Sequence, residues 1–297
     1  MTTLREYLDK TDCKDDLKDL IELIAMQAVP IRDAFISNQS YAGTENSSGD
    51  KQAALDVWSD EHIVNVLLKS NLVSQIASEE RDDIVKNPNA KAGYAVVMDP
   101  LDGSSLIQVN LCVGTIVGIY DNGDALSCGN QMRAAMYMLY GPMTVLTLTV
   151  GSGVYIFALK DGVYTMLEEN VKMPQGKLYG SGGLKKDWIP EHEKFIDEIE
   201  KEGGKLRYSG SFVADFHQIL KYGGIYCYPK TKDNATGKLR LVFEANPIGF
   251  IAAQAGGEIT DGVNNLLDVK PQKPHHKTPI YVGSKNMTEK IIRICKE

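Results

Sequence analysis

No apolar run in this chain reaches the length needed to cross a membrane, and none at its start reads as a cleavable leader. An integral membrane protein and a secreted one are therefore not expected. Positive charge is in short supply. With 32 Lys and Arg against 39 Asp and Glu, the net charge is −7. That excludes a general nucleic-acid binder, which needs clustered bases. A phosphorylated ligand would have to be drawn in locally, by a metal and a few basic side chains. Cysteine is sparse too: Cys13, Cys112, Cys128, Cys227 and Cys295 lie scattered, without metal-ligand spacing. An odd, dispersed set excludes a disulfide framework and reads as reduced thiols in a cytoplasmic protein. The glycosylation-like triplets at Asn46, Asn234 and Asn286 are then fortuitous. There is no internal repeat and no low-complexity segment. What remains is a 297-residue chain with 43% hydrophobic and 24% charged residues. These are the proportions of a soluble globular protein of one large domain or two modest ones.

The periodicities divide the chain. Leu17, Leu20, Ile21, Ile24, Ala25, Ala28, Ile31 and Phe35 form the stripe of an amphipathic helix over 15–37, which Pro30 should kink or interrupt. Residues 38–49 are polar and rich in Gly, Ser and Asn, and read as a mobile loop. A second helix is expected over 50–70, with Ala53, Val57, Val64 and Leu67 inward and Asp56 on another face. Runs at 72–77 and 94–98 read as strands. Between 111 and 168 several β-rich runs follow one another through turns as short as Asp161-Gly162, which implies antiparallel neighbours. From about 175 strands and helices alternate, as in an α/β half with a mixed sheet. The expected organisation is an α/β protein, α+β in its first half, with units 1–172 and 173–297.

One stretch carries the chemistry. Met98-Asp-Pro-Leu-Asp-Gly-Ser-Ser105 follows a buried-strand pattern and delivers Asp99 and Asp102 at its end. Pro100 fixes the backbone between them, Gly103 permits a tight turn, and Ser104 and Ser105 add amide and hydroxyl donors. Carboxylates beside a donor-rich turn suit a hard cation and an oxyanion held together. An isolated D-x-x-D would more often be a plain acidic turn. Here, however, Ser78-Glu79-Glu80 ends another strand-like run, with Asp50 and Asp56 upstream and Glu244 in Phe243-Glu-Ala-Asn-Pro247 downstream. Adjacent carboxylates at one strand end project to opposite sides, so one can face a metal and the other a water. Asp56 taken alone would be a solvated helical carboxylate.

The block Asp99-Pro-Leu-Asp-Gly-Ser-Ser105, with Ser78-Glu-Glu80 before it, resembles the Mg²⁺-dependent, lithium-sensitive phosphatase superfamily. Val113-Gly-Thr-Ile116, Leu206-Arg-Tyr-Ser-Gly210, Gly237-Lys-Leu-Arg240 and Glu244-Ala-Asn-Pro247 narrow the resemblance to the fructose-1,6- and sedoheptulose-1,7-bisphosphatases. It extends from about residue 15 to about 290. The resemblance implies a layered α/β/α/β/α sandwich with its site in the cleft between two halves. It implies two or more Mg²⁺ (with Mn²⁺ or Zn²⁺ as substitutes) on Glu79, Asp99, Asp102, Glu244 and the Leu101 carbonyl. Glu80 and Asp56 would activate water, and Asp50 would belong to a closing loop. Gly103 and Ser104 would hold the transferred phosphoryl group. Tyr208, Tyr228 and Lys238 would grip the sugar and its distal phosphate, with Arg207 reaching a neighbouring subunit of a homodimer or homotetramer.

The implied activity is hydrolysis of the C1 phosphate of a ketose bisphosphate. Several features lean towards the seven-carbon substrate: the loop Tyr179-Gly-Ser-Gly-Gly-Leu-Lys185, the Gly49–Asp56 segment and Phe243-Glu244, while Leu106 and Gln108 simply depart from the Asn and Asp usual after this turn in fructose enzymes. Val213-Ala-Asp-Phe-His217 and Ala245-Asn-Pro247 lean towards the six-carbon one. The alternatives are a strict fructose-1,6-bisphosphatase without AMP control, an inositol- or nucleotide-phosphate phosphatase, and a catalytically inactive sugar-phosphate sensor. The family's AMP site is not matched, since Gly93 and Asp121 flank the Tyr94–Tyr120 region where a Lys and an Arg are expected.

Overall fold

In the computed structural model, which describes residues 1–37, 41–45 and 51–297, three helices open the chain: α1 (Leu4–Leu8), α2 (Asp15–Ala25) and α3 (Ala28–Ala34). The expected 15–37 stripe is buried along Leu17, Leu20, Ile21, Ile24, Ala25, Ala28 and Ile31. The interruption falls at Met26–Gln27, ahead of Pro30. Pro30 sits in the first turn of α3, where a missing N–H costs nothing. Strands β1 (Tyr41–Glu45) and β2 (Lys51–Ala53) pair antiparallel, so part of the expected loop is extended chain. Helix α4 (Ala54–Ser70) therefore starts later than the expected residue 50.

Eight strands then form one sheet. They are β3 (Val73–Ser78), β4 (Val85–Lys86), β5 (Tyr94–Asp102), β6 (Val113–Tyr120), β7 (Ala134–Tyr140), β8 (Thr144–Thr149), β9 (Tyr155–Lys160) and β10 (Val163–Glu168), in the spatial order 10-9-8-7-6-5-3-4. From β5 to β10 every pair is antiparallel, as the short turns require, while β3 and β5 run parallel. Parallel pairing brings the C-terminal ends of β3 and β5 together, and Glu79 and Asp99 with them.

The second half holds β11 (Leu178–Ser181), α5 (Pro190–Lys201), β12 (Lys205–Leu206), α6 (Phe212–Tyr222), β13 (Gly224–Tyr228), α7 (Asn246–Gln254), β14 (Glu258–Thr260), β15 (Ile280–Gly283) and α8 (Lys285–Lys296). Its five-stranded sheet has the order 12-11-13-15-14 and mixes parallel with antiparallel pairs.

Period-two alternation explains the layering. On β5, Tyr94, Val96 and Met98 join the core under α1–α4, while Ala95 and Val97 face α6 and α7. On β7, Met136 and Met138 take the first side, and Ala135, Tyr137 and Leu139 the second. Both faces of the large sheet are thus covered, and its strands read as near-continuous apolar runs. The outer face of the small sheet packs Ile225, Cys227 and Tyr281 against Phe195 and Ile199 of α5 and Ile291 of α8. The result is the expected α/β/α/β/α sandwich. Helices α6 and α7 lie in the middle layer and share one core with both sheets.

Candidate active site

The site forms where β3 and β5 end against the start of α6 and α7. Along β5 the pairing to β6 shifts register between Asp99 and Asp102. This β-bulge at Pro100–Leu101 re-aims both carboxylates. The Leu101 N–H donates to Asp99 Oδ1 at 2.9 Å and fixes that side chain. Gly103 follows at φ +80°, a conformation a side chain would strain, and turns the chain into the 3₁₀ segment Ser104–Val109. Glu79 is joined to the end of β5 by its N–H, which donates to the Met98 carbonyl at 3.0 Å.

The second half supplies the other wall. Asp102 Oδ2 accepts from Ser211 Oγ at 2.7 Å and from the Val213 N–H at 2.9 Å, both at the N-terminus of α6. Before α7 the chain makes one π-helical turn, Leu241–Ala245. It buries Glu244, which accepts from the Arg240 N–H at 2.6 Å. The Arg240 guanidinium, itself buried, pairs with Glu79.

These groups line a cavity of about 360 Å³. Asp56, Glu79, Glu80, Asp99, Leu101, Asp102, Gly103, Ser104, Tyr208, Tyr228, Lys238 and Glu244 all border it. One expected residue does not. Arg207 lies outside, its guanidinium donating to Gln218 at 3.3 Å and standing 5.9 Å from the Tyr222 ring centroid. Asp50 falls outside the described residues. The solvated reading of Asp56 is corrected. Its side chain is buried, and Oδ2 accepts from Ser104 Oγ at 3.0 Å. A hydroxyl donor from the turn after β5 partners that carboxylate.

Sequence reasoning gave no role to Arg240, Ser211, Asp215 or Tyr226. Arg240 and Asp215 stand inside motifs that carry the family resemblance. Asp215 accepts from the Ser209 and Gly210 N–H groups at 2.9 and 3.3 Å, and so shapes the turn after Tyr208. Ser211 gave no signal beyond a capping residue, because its partner Asp102 is 109 positions away.

The electrostatics point to a cation. Burial and the neighbouring Glu79, Asp102, Glu244 and Glu80 hold Asp99 well above the usual carboxylate range. Burial and Glu79 do the same to Glu244, against the pull of Arg240. Asp102 is pushed up to about 6 by burial, with Ser211 and Val213 opposing the shift. Burial alone would lower Arg240, but Glu79, Glu244, Asp99 and Glu80 outweigh it and raise it. Oxygens of Glu79, Asp99 and Glu244 lie within 4.8 Å of one another, and the buried Glu79 Oε2 has no hydrogen-bond partner among the described residues. An all-oxygen set with an unsatisfied carboxylate fits a hard divalent ion such as Mg²⁺.

Comparison with known proteins agrees with this geometry. Family models described as the N-terminal and C-terminal domains of fructose-1,6-bisphosphatase match residues 4–169 and 172–296. The chain belongs to the fructose-1,6-bisphosphatase family. A class 1 fructose-1,6-bisphosphatase of Methanocorpusculum labreanum is 60% identical over 293 residues, covering 98% of this chain and 91% of that protein. One from Methanospirillum hungatei is 52% identical, covering 100% and 96%. The crystal structure of Leishmania major fructose-1,6-bisphosphatase in holo form superposes with a TM-score of 0.94 at 30% identity, covering 100% of this chain and 99% of that one. Family membership, with the Glu79, Asp99 and Glu244 cluster in place, marks the protein as a phosphatase of carbohydrate metabolism, against the inactive-sensor and inositol-phosphatase readings. Among the described residues no helix is long and apolar enough to cross a membrane.

Proposed function

We propose that the protein hydrolyses the C1 phosphate of fructose 1,6-bisphosphate, with sedoheptulose 1,7-bisphosphate as a competing substrate. The named relatives carry the six-carbon name, which sets that order against the lean of the loop residues. The observation that carries the reading is the cavity itself. Its lining combines a cluster of carboxylates with two tyrosines and Lys238. A molecule with a reacting phosphate and a second anion matches that combination.

Glu79, Asp99, Asp102, Glu244 and the Leu101 carbonyl would hold two or more Mg²⁺. Bound there, the ions would neutralise phosphate charge and acidify a water. The chain's own residues would do the rest. The Gly103–Ser104 turn presents N–H donors to the phosphoryl oxygens, in the manner of an oxyanion-binding nest. Arg240, fixed beside Glu79, supplies a planar cation at the same end. Asp56 and Glu80 border the cavity as proton acceptors for the attacking water, with Asp56 held by Ser104. Tyr208, Tyr228 and Lys238 would orient the sugar and fix its far phosphate. The protein would act as a homodimer or homotetramer in the cytoplasm, with Arg207 completing a neighbour's site. Units 1–172 and 173–297 would divide the work, metals to the first and sugar to the second, with Glu244 crossing over.

Phosphate release from the two bisphosphates and from an inositol monophosphate, with and without Mg²⁺, tests the reading. Mg²⁺-dependent release from the ketose bisphosphates alone is expected. Equal or greater release from inositol phosphate would overturn it.

A further inference from the structure

The far end of the cleft is shaped by an absence. Residues of β11 and its continuation alternate between two faces. Ser181 turns towards α5, where its Oγ lies 2.9 Å from His192 Nε2. Gly180 and Gly182 turn the other way, towards the tyrosines. A Cβ on Gly182 would lie 2.4 Å from Tyr228 Cε2, 2.5 Å from Tyr228 Cδ2 and 2.9 Å from the Tyr208 hydroxyl. A Cβ on Gly180 would lie 2.7 Å from the Arg207 carbonyl and 3.6 Å from the Tyr208 ring. Gly182 is not among the positive-φ glycines, so the backbone conformation does not demand it. The contact does.

The backbone at this point is tethered on both sides. The Gly182 N–H donates to the Cys227 carbonyl at 2.9 Å, and its own carbonyl accepts from Trp188 Nε1 at 3.2 Å. Trp188 packs edge-on against the buried His192, which also contacts the Tyr281 hydroxyl at 3.1 Å. A side chain at 182 would therefore be accommodated by the tyrosine rings moving into the cavity they line.

We propose that Gly182 is a positioning residue that sets the depth of the distal end, and with it the length of bisphosphate the cleft accepts. The inference rests on the functional reading above. It concerns binding of the remote phosphate, not the chemistry at the carboxylates. Ordinary contact begins near 3.4 Å, so Gly182→Ala displaces the Tyr228 ring by about 1 Å.

The test is steady-state kinetics of Gly182→Ala on both ketose bisphosphates, with melting temperatures, and a double-mutant cycle with Tyr228→Ala. The expected result is a KM raised roughly tenfold or more, larger for the seven-carbon substrate, with kcat within about threefold of wild type. In the Tyr228→Ala background, where the ring is gone, the added methyl should change KM little. An unchanged KM, a fall in kcat at constant KM, or additive effects in the cycle would each overturn the proposal. Should Gly182→Ala fail to fold, folding of the double variant supports the clash and its failure refutes it. A wild-type protein inactive on both substrates sinks the functional reading and this inference together. An active wild type with a silent Gly182→Ala sinks this inference alone.

Discussion

Asp102→Asn separates the needs of the fold from those of catalysis. The substitution keeps shape and volume, and an amide oxygen can still accept from Ser211 Oγ and the Val213 N–H. Only the charge is lost. In the metal-free protein that charge is a burden. Burial lifts the Asp102 carboxyl from 3.8 to about 6, so keeping it ionised at neutral pH costs on the order of 3 kcal/mol. Because the folded value is the higher one, this cost is absent below the unfolded pKa and fully present above about pH 6. With metal chelated at neutral pH, Asp102→Asn should therefore match wild-type stability or exceed it, by up to about 3 kcal/mol. With excess Mg²⁺ the order should reverse, because wild type gains a ligand-linked increment that the variant largely forfeits. Turnover should fall by about 100-fold or more, as several kcal/mol of charge stabilisation is removed. Denaturant titrations with chelator and with Mg²⁺, run beside a phosphate-release assay, measure all three quantities. Near-normal Mg²⁺-dependent activity in this variant would refute the ligand assignment. A large loss of metal-free stability would refute the charge argument.

Three further outcomes are expected. AMP should not inhibit. Its phosphate needs cationic donors, whereas the Tyr94 hydroxyl donates to Asp16 at 2.7 Å and Asp121 stands nearby; without two charge-assisted hydrogen bonds, each worth about 1.5–3 kcal/mol, micromolar affinity is out of reach, and titration calorimetry showing a micromolar Kd would contradict this. Acid should destabilise the fold through two buried imidazoles, because burial holds His192 at about 3 and His217 at about 4. Their contribution is complete above the unfolded value of 6.5 and is lost as pH falls from there towards about 4, at about 1.4 kcal/mol per pH unit per histidine; urea midpoints of wild type and His192→Gln between neutral and mildly acid pH should converge, and parallel curves would disprove it. Finally, if Arg207 serves a neighbour's site, Arg207→Ala should raise KM several-fold at unchanged melting temperature, and wild-type specific activity should fall on dilution. A concentration-independent activity with a silent Arg207→Ala would disprove the shared site.

The antiparallel first half was legible because short turns between β-rich runs declare antiparallel neighbours. The layered sandwich came with the family resemblance, since β5 and β7 are buried at every position and their near-continuous apolar runs do not say which residue faces which layer. The carboxylates were legible for a local reason, since Glu79 directly follows β3 and Asp99 and Asp102 close β5. The partners of those carboxylates were hidden by sequence distance. Nothing near Asp102 announces Ser211, and nothing near Glu79 announces Arg240. Asp56 shows the same limit from the other side. Helical spacing placed it off the apolar stripe, which reads as solvent, but the face it occupies is covered by the Ser104 turn. The β1–β2 pairing was missed because Gly- and Ser-rich chain carries no alternation to reveal extended backbone.

The division of the site between halves bears on how it assembles. The first half contributes Glu79, Asp99 and Asp102, whose mutual repulsion in a buried setting is unfavourable by itself. The groups that relieve it come from the second half: the α6 N-terminal donors at Asp102, and Arg240 beside Glu79. Yet the same segment that brings Arg240 also inserts Glu244, restoring negative charge to the pocket. Docking of α6 and α7 against the large sheet therefore neutralises the first-half carboxylates only in part. What remains is a pre-formed excess of negative charge that divalent cations would satisfy, and metal bound there would link the packing of the two halves through these few side chains.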